Sequence, residues 1–413
     1  MRVAYHSPMP PSTSGIADYS ALLVPALGEL VDLTVIDGPD VRVGASDLAL
    51  YHIGNNPDAH GWIIEALRRK PGLVVLHEHV LHHLVAGMTI ARGDREGYLR
   101  AMQRDAGVVG RLMAHGVIDG VVPPVWETRP VDFPLCGEVL DHATGLIVHS
   151  ATVEAAARAR GYAGSIHRIP HPAWPVPKLI RDPALDGATG PVFGAFGHLN
   201  FAKRAPQLVE AFALVLASRP EARLLLVGDA AEDLGVDWRL TEIESAHPGA
   251  VIRLPYVEEA RLWSLIAGCD VCVCLRHPTM GETSGIAIRA MSVGRPLIVT
   301  DTGWFAEIPD EIAIRVAPDA DEAEALAAAM RSLADDHTRR ERMGAAAAAY
   351  AVSELALGRV AEGYRRAIVE AAGGQAVRDG ALREIARAAA EVGLDPAGPE
   401  VGLIAERVRE VRL

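Results

Sequence analysis

Lysine is nearly absent from this chain. Lys70, Lys178 and Lys203 are the only ones among 40 basic side chains, the other 37 being arginine, so each lysine stands out against that background. Cysteine is scarce too: Cys136, Cys269, Cys272 and Cys274 are too few and too clustered for a disulfide scaffold. The C-x-x-C-x-C spacing of the last three would suit a metal or redox site, but it lies in the apolar run 269–275, which reads as a buried strand with its thiols as small hydrophobes. No apolar run reaches the roughly 18 residues that span a bilayer, and the start, Met1-Arg2-Val3-Ala4-Tyr5-His6, lacks a charged segment followed by an apolar core and a cleavage site. A cytoplasmic, soluble protein is expected. Net positive charge is missing as well. At −13, a surface for duplex nucleic acid or anionic lipid would work against the field of the whole molecule, and no nucleic-acid partner is expected. What is present is globular composition, 50% hydrophobic and 23% charged over 413 residues, enough for two or three domains at roughly 150 residues each.

Short apolar runs alternate with helical patterns through the first half. Strands are predicted over 3–6, 33–36, 48–53, 73–77, 145–149 and 167–169, with helices at about 16–29, 60–69, 80–90, 95–115 and 151–160. Such alternation implies βαβ crossovers and a parallel, doubly wound sheet. Residues 91–143 show no strand pattern and are expected to form a helical insertion that shapes a binding mouth. A Pro- and Gly-rich linker, 172–190, precedes a second alternation, with strands over 192–196, 223–227, 251–254, 271–275, 296–300 and 313–316. Helices fit at about 206–218, 258–267, 285–293 and 320–334, then 337–353 and 356–371. The chain therefore reads as α/β, with two Rossmann-like domains, 1–173 and 174–355, facing a cleft, and a closing helix at 356–373. In the tail, 374–413, Leu382, Ile385, Ala386 and Ala389, then Leu403, Ile404 and Val408, recur at helical spacing on either side of Pro396 to Pro399. Two short helices are expected there, packed on the body or on a second copy as a homodimer.

In open parallel sheets ligands collect beyond the carboxyl ends of the strands. The first such loop, Ser12-Thr13-Ser14-Gly15-Ile16-Ala17-Asp18-Tyr19, opens a helix whose free N–H groups would suit a phosphate; an ordinary N-cap at Ser12 or Ser14 explains it equally well. Gly54-Asn55-Asn56-Pro57 is turn chemistry, relevant to binding only if it faces the cleft. His77-Glu78-His79-Val80-Leu81-His82-His83 holds four of the 16 histidines, but Leu81 stands where H-E-x-x-H needs its second His, so no metal site is expected. His77, at a strand's end, is placed to hydrogen-bond a sugar hydroxyl, while His82 and His83 flank the next helix.

The second half offers more. Phe196-Gly197-His198-Leu199-Asn200-Phe201-Ala202-Lys203-Arg204 links a strand to a helix, and a Lys beside an Arg there suits phosphate oxygens, though a solvated surface pair explains it equally. In the loop from Arg276 to Gly285, residues Gly281, Thr283, Ser284 and Gly285 form an anion-ready nest at a helix start, and Glu282 offers a carboxylate to hydroxyls. Phosphate and polyol recognition side by side is what a nucleotide sugar needs. Asp301 or Glu307, after the next strand, would reach a ribose or sugar, or else finish a turn.

These loops resemble those of the retaining glycosyltransferases of family 4, over about residues 1–371 and most specifically in the second half. The family carries Gly-x-Leu-x-x-x-Lys, here Gly197-His198-Leu199 with Lys203, where the Lys and usually an Arg after the Gly bind the donor diphosphate. His198 holds that Arg's place, and Arg204 is expected to supply the cation. The family's Glu, seven residues, Glu and then Ala-Met-x-x-Gly-x-Pro aligns on Ala290-Met291-Ser292-Val293-Gly294-Arg295-Pro296. That puts Arg289 at the second Glu, which normally holds the donor ribose, and Gly281 at the first, with Glu282 one residue later. Gly15 and His77-Glu78, where the family often has His-Asp, match positions that meet donor or acceptor. The resemblance implies a GT-B fold and a retaining, metal-independent hexosyltransferase without a cofactor, taking a nucleotide diphosphate sugar as donor and a hydroxyl of a saccharide or small molecule as acceptor. Lys203, Glu282 and His77 would be catalytic. Gly15, Gly197, His198, Lys203, Arg204, Thr283, Ser284, Gly285, Arg289 and Glu307 would meet the donor, and Asn55, Asn56 and Glu78 the acceptor. The alternatives are a sugar-nucleotide epimerase, a phosphorylase, or a sugar-nucleotide-binding protein without turnover. A nicotinamide dehydrogenase is disfavoured, because no G-x-G-x-x-G follows an early strand and no Tyr has a Lys four residues on.

Overall fold

The apolar runs of the first half become six parallel strands, β1 (Arg2–His6), β2 (Asp32–Ile36), β3 (Leu48–Ile53), β4 (Gly72–Leu76), β5 (Ala143–Val148) and β6 (Ile166–Arg168), in the order β2-β1-β3-β4-β5-β6. The computed structural model describes all residues except 13, 42–43, 232–233, 396–397 and 411–413, and the side chains of the rest except 375–380, 383–384 and 409–410. Thr13 of the first loop and Pro396 of the tail thus lie outside the described residues. Every residue of β3 and β4 is buried, as strands are when helices cover both faces of a parallel sheet. Those helices are α1 (Gly15–Gly28), α2 (Pro57–Arg69), α3 (His82–Met88), α4 (Arg95–Ile118), α5 (Val125–Thr128), α6 (Gly137–His142) and α7 (Ala151–Ala159). Ser14, Asn56 and Ser150 start α1, α2 and α7 with side-chain oxygens that accept from the first free N–H groups. The insertion α4 to α6 is strand-free among the described residues, as expected. It walls a cavity of about 460 Å³ against α2 and α3.

The second half builds a second parallel sheet from β7 (Val192–Phe196), β8 (Arg223–Val227), β9 (Val251–Leu254), β10 (Val271–Cys274), β11 (Leu297–Thr300) and β12 (Ala313–Val316), in the order β12-β11-β10-β7-β8-β9. Its helices are α8 (Ala205–Leu216), α9 (Asp237–Ala246), α10 (Glu259–Gly268) and α11 (Gly285–Ser292), followed by α12 (Glu322–Asp335) and α13 (His337–Ser353). The sequence reading has no helix at α9. Only Leu240 and Ile243 are buried there, an apolar stripe too narrow to show as a period. Cys269, Cys272 and Cys274 are free thiols buried in and beside β10.

Helix α14 (Leu357–Glu391) then crosses back to the first lobe. Val360, Tyr364 and Ile368 bury themselves against Tyr5, Tyr19, Leu23 and Leu27, and the Tyr19 and Tyr364 hydroxyls meet at 2.6 Å. Gly373-Gly374, expected to separate closing helix from tail, does not interrupt it. Glycine costs only about 1 kcal/mol in a helix interior, which the flanking good helix formers absorb. Of the two short helices expected in the tail, the first is the far half of α14 and the second is α15 (Pro399–Glu410). No helix among the described residues is long and apolar enough to cross a membrane.

Candidate active site

The carboxyl ends of both sheets face each other, and the second lobe supplies the cations. Beyond β7 the chain turns at Gly197, with φ +85°, where a Cβ would stand 2.4 Å from the Lys203 ammonium. Asn200 accepts from the Lys203 N–H at 2.9 Å and so fixes the short turn 201–203, and Lys203 Nζ donates to the Phe196 carbonyl at 2.9 Å. Lys203 and Arg276 then flank a cavity of about 170 Å³ closed by Thr283, Ser284 and Gly285 at the start of α11. Burial, and secondarily the Arg276 charge, lower the Lys203 pKa to about 8. An anion between the two cations would reverse that shift. Ser284 caps α11 by accepting from the Ala287 N–H, and the Thr283 hydroxyl is buried with no hydrogen-bond partner among the described residues.

Next to it a cavity of about 400 Å³ opens between the lobes. The first lobe lines it with Gly15, Asp18, Asn55, Asn56, His77 and Glu78, the second with Glu282, Thr283, Gly285 and Arg289. Glu282 forms an ion pair with Arg276, Nε to Oε1 at 2.7 Å, and accepts from the Met280 N–H at 2.7 Å and from the Thr279 hydroxyl at 3.1 Å. Among the described residues Glu78 accepts one long bond, from the Asn55 N–H at 3.4 Å, and burial together with the nearby Glu282 carboxylate pushes its pKa up to about 8. The lobes touch directly at this rim. The His79 and Val80 N–H groups both donate to the Met280 carbonyl, at 3.0 and 3.1 Å.

Several residues singled out in the sequence do other work. His77 lines the cleft, but both its ring nitrogens are used. His149 Nδ1 donates to the Ile169 carbonyl at 2.8 Å, so its Nε2 accepts from His77 Nδ1 at 3.2 Å. His77 Nε2 in turn accepts from His52 Nδ1 at 3.0 Å, leaving His52 Nε2 a buried acceptor with no partner among the described residues. His77 therefore has no ring nitrogen free for a sugar hydroxyl. Arg204 lines neither cavity; its guanidinium is held by Glu322, whose side chain is 1% exposed. Glu307 lines neither cavity and caps α7 across the lobe boundary, accepting from the Ala151 and Thr152 N–H groups at 2.9 Å each and from the Thr152 hydroxyl at 3.0 Å. His198 is exposed and lines neither cavity. Arg289 does line the cleft, stacked 3.8 Å over Trp174 and paired with Glu259 at 2.8 Å. Asn56 spends its side-chain oxygen capping α2, and Asn55 caps the Leu84 N–H of α3 at 3.0 Å. Sequence reasoning missed Arg276. Its only signal is its place one residue beyond the apolar run of β10, opening the same loop that ends in the nest. Among the described residues no three His, Cys, Asp or Glu side chains gather as metal ligands would.

Residues 190–336 match the family model described as glycosyl transferases group 1, so the second lobe carries a domain of that kind. No curated protein matches the chain. Solved structures do. Sucrose-phosphate synthase from Thermosynechococcus elongatus superposes with a TM-score of 0.60 at 18% identity, covering 90% of this chain and 100% of that one. HepE from Anabaena, solved in complex with UDP, gives 0.58 at 14% identity, covering 90% and 100%. The E. coli trehalose-6-phosphate protein bound with UDP-2-fluoro glucose gives 0.58 at 12% identity, covering 89% and 99%. The architecture is that of the GT-B fold, two parallel α/β lobes with a C-terminal helical region.

Proposed function

We propose that this chain is a retaining, metal-independent glycosyltransferase that moves a sugar from a nucleotide diphosphate sugar to a hydroxyl acceptor. The observation that carries the reading is the cavity at the start of α11, whose lining holds Lys203 and Arg276 and, among the described residues, no carboxylate. A diphosphate leaving the anomeric carbon gains charge as its bond breaks, and two fixed cations with helix N–H groups stabilise that charge without reorganising. Glu282, anchored beside this cavity by the Arg276 charge and two hydrogen bonds, orients the sugar hydroxyls. The acceptor enters from the first lobe, past Asn55, Asn56 and Glu78, and attacks the face the diphosphate leaves, a donor phosphate oxygen helping to take its proton. Solved relatives holding UDP or a UDP-sugar make UDP-sugars the first donors to try.

Calorimetry against UDP, GDP, ADP and dTDP tests this. Binding should take up protons near pH 8, because the diphosphate returns Lys203 to its ammonium form. No binding of any nucleoside diphosphate would refute the reading. Arg289 favours one alternative: with Trp174 it fills the position aligned with the family's ribose carboxylate, as a protein that binds sugar nucleotides without turnover would tolerate. Donor binding with no product across a broad acceptor panel would decide for that alternative.

A further inference from the structure

Two carboxyl groups from opposite lobes enter the same cleft, and they are not equivalent. Glu282 stands on the loop between β10 and α11 with a guanidinium, a backbone N–H and a hydroxyl on its oxygens. Glu78 stands beyond β4 with no ion-pair partner among the described residues. The charged groups that face it are Glu282 and, beyond it, Arg276. Asn55, on the loop between β3 and α2, gives it one long N–H bond and is neutral, and through its amide touches His83 of α3, which itself pairs with Glu127. His77, the preceding residue, is held neutral in its buried chain. The lobes are fixed at this spot by the bonds from residues 79 and 80 to Met280, so the two carboxyls cannot draw apart without breaking them.

We propose that the pair carries one proton, held by Glu78, and that Glu78 works as a neutral carboxyl that donates a hydrogen bond to a ligand oxygen in the cleft. It does there what an amide would do, with Glu282 as the neighbouring acceptor. This rests on the transferase reading only for the identity of the ligand, a hydroxyl-rich acceptor. Glu78 is a positioning residue that also gives the cleft an alkaline limit. When it ionises, two carboxylates face one another and the donor O–H is lost. The upward shift of its pKa to about 8 puts that limit just above neutrality.

The test has two arms. Infrared difference spectra taken below and above pH 8 should show one carboxylic acid C=O stretch giving way to carboxylate in the wild-type chain, and no such change in Glu78→Gln. The second arm measures transfer with UDP-sugar saturating, so that Lys203 is already paired with diphosphate. Wild-type kcat should fall above pH 8, while the rate of Glu78→Gln, taken relative to its own value at neutrality, should show no such alkaline limb. Glu78→Ala, which cannot donate, should lose about threefold to tenfold in kcat/KM for the acceptor, the net worth of one neutral hydrogen bond. A Gln variant that retains the infrared change or the alkaline limb overturns the proposal. If the infrared change disappears in Glu78→Gln but no chain turns over any acceptor, the proton assignment stands and the transferase reading fails.

Discussion

Mild acid should unfold the first lobe ahead of the second. Seven histidines, His6, His52, His60, His77, His82, His149 and His171, are buried in the first lobe. Desolvation lowers them all; His6, His60, His82 and His149 fall to about 4 and His171 to about 3, from an ordinary value of 6.5. Between those values the unfolded chain binds more protons than the folded one, so stability is full above pH 6.5 and is lost as pH falls toward 4. At about 1.4 kcal/mol per unit, one such histidine removes about 2 kcal/mol by roughly pH 5, and three acting independently remove about 6 kcal/mol. That is on the order of the whole stability of a domain, about 5–15 kcal/mol. The second lobe has no buried histidine among the described residues to drive a parallel loss. Urea titrations followed by far-UV circular dichroism should therefore split into two transitions on acidification, the earlier one moving steeply to lower urea. His149→Gln should flatten that movement by its share, about 2 kcal/mol at roughly pH 5. A single transition whose midpoint is the same above pH 6.5 and near pH 5 would refute the account of these histidines as neutral in the fold.

Lys203→Ala should lower turnover roughly 10²–10³-fold with folding nearly intact, by analogy with removal of one oxyanion donor, and steady-state kinetics beside a melting curve checks both. Arg276→Ala should match it, and should also loosen Glu282; an unchanged UDP affinity in both variants would show that the cavity holds no diphosphate. Arg204→Ala should behave differently, costing about 3–5 kcal/mol of stability by stranding the buried Glu322 carboxylate while leaving UDP affinity unchanged in calorimetry. Glu307→Ala removes three bonds that tie the lobes, so small-angle scattering should show a more open particle, with UDP restoring part of the closure. Chelator should leave turnover unchanged, and activity restored only by magnesium or manganese would contradict the role given to Lys203 and Arg276.

The strands were legible because a strand buried on both faces is a continuous apolar run, as β3 and β7 are, and such a run needs no knowledge of its neighbours. Helix α9 was not, since its buried face is two residues wide. The single helix through Gly373-Gly374 was not either, because local propensity sees two glycines and not the good helix formers on both sides. In the site, Lys203 stood out by rarity. Arg276 did not, being one arginine among 37. The partners of Arg204 and Glu307 are hidden from the sequence for one reason: the group that claims each lies far along the chain, Glu322 118 residues from Arg204 and Thr152 155 residues from Glu307. His77 was read as a lone strand-end histidine, and its two occupants, 25 and 72 residues away, come together only when β3, β4 and β5 align.

The return of α14 to the first lobe bears on how the chain is made. Tyr19 and Tyr364 are separated by 345 residues, yet their hydroxyls share one bond, and the side of the first sheet where Tyr5 packs with Leu23 and Leu27 of α1 is finished only by Val360, Tyr364 and Ile368. During synthesis from the amino end, that face is left open until residues 357–371 leave the ribosome, after the entire second lobe. The amino-terminal lobe, first to be translated, is thus the last to be completed. Nascent chains stalled before residue 357 should bind a hydrophobic dye and fall to protease in the first lobe while the second is already resistant.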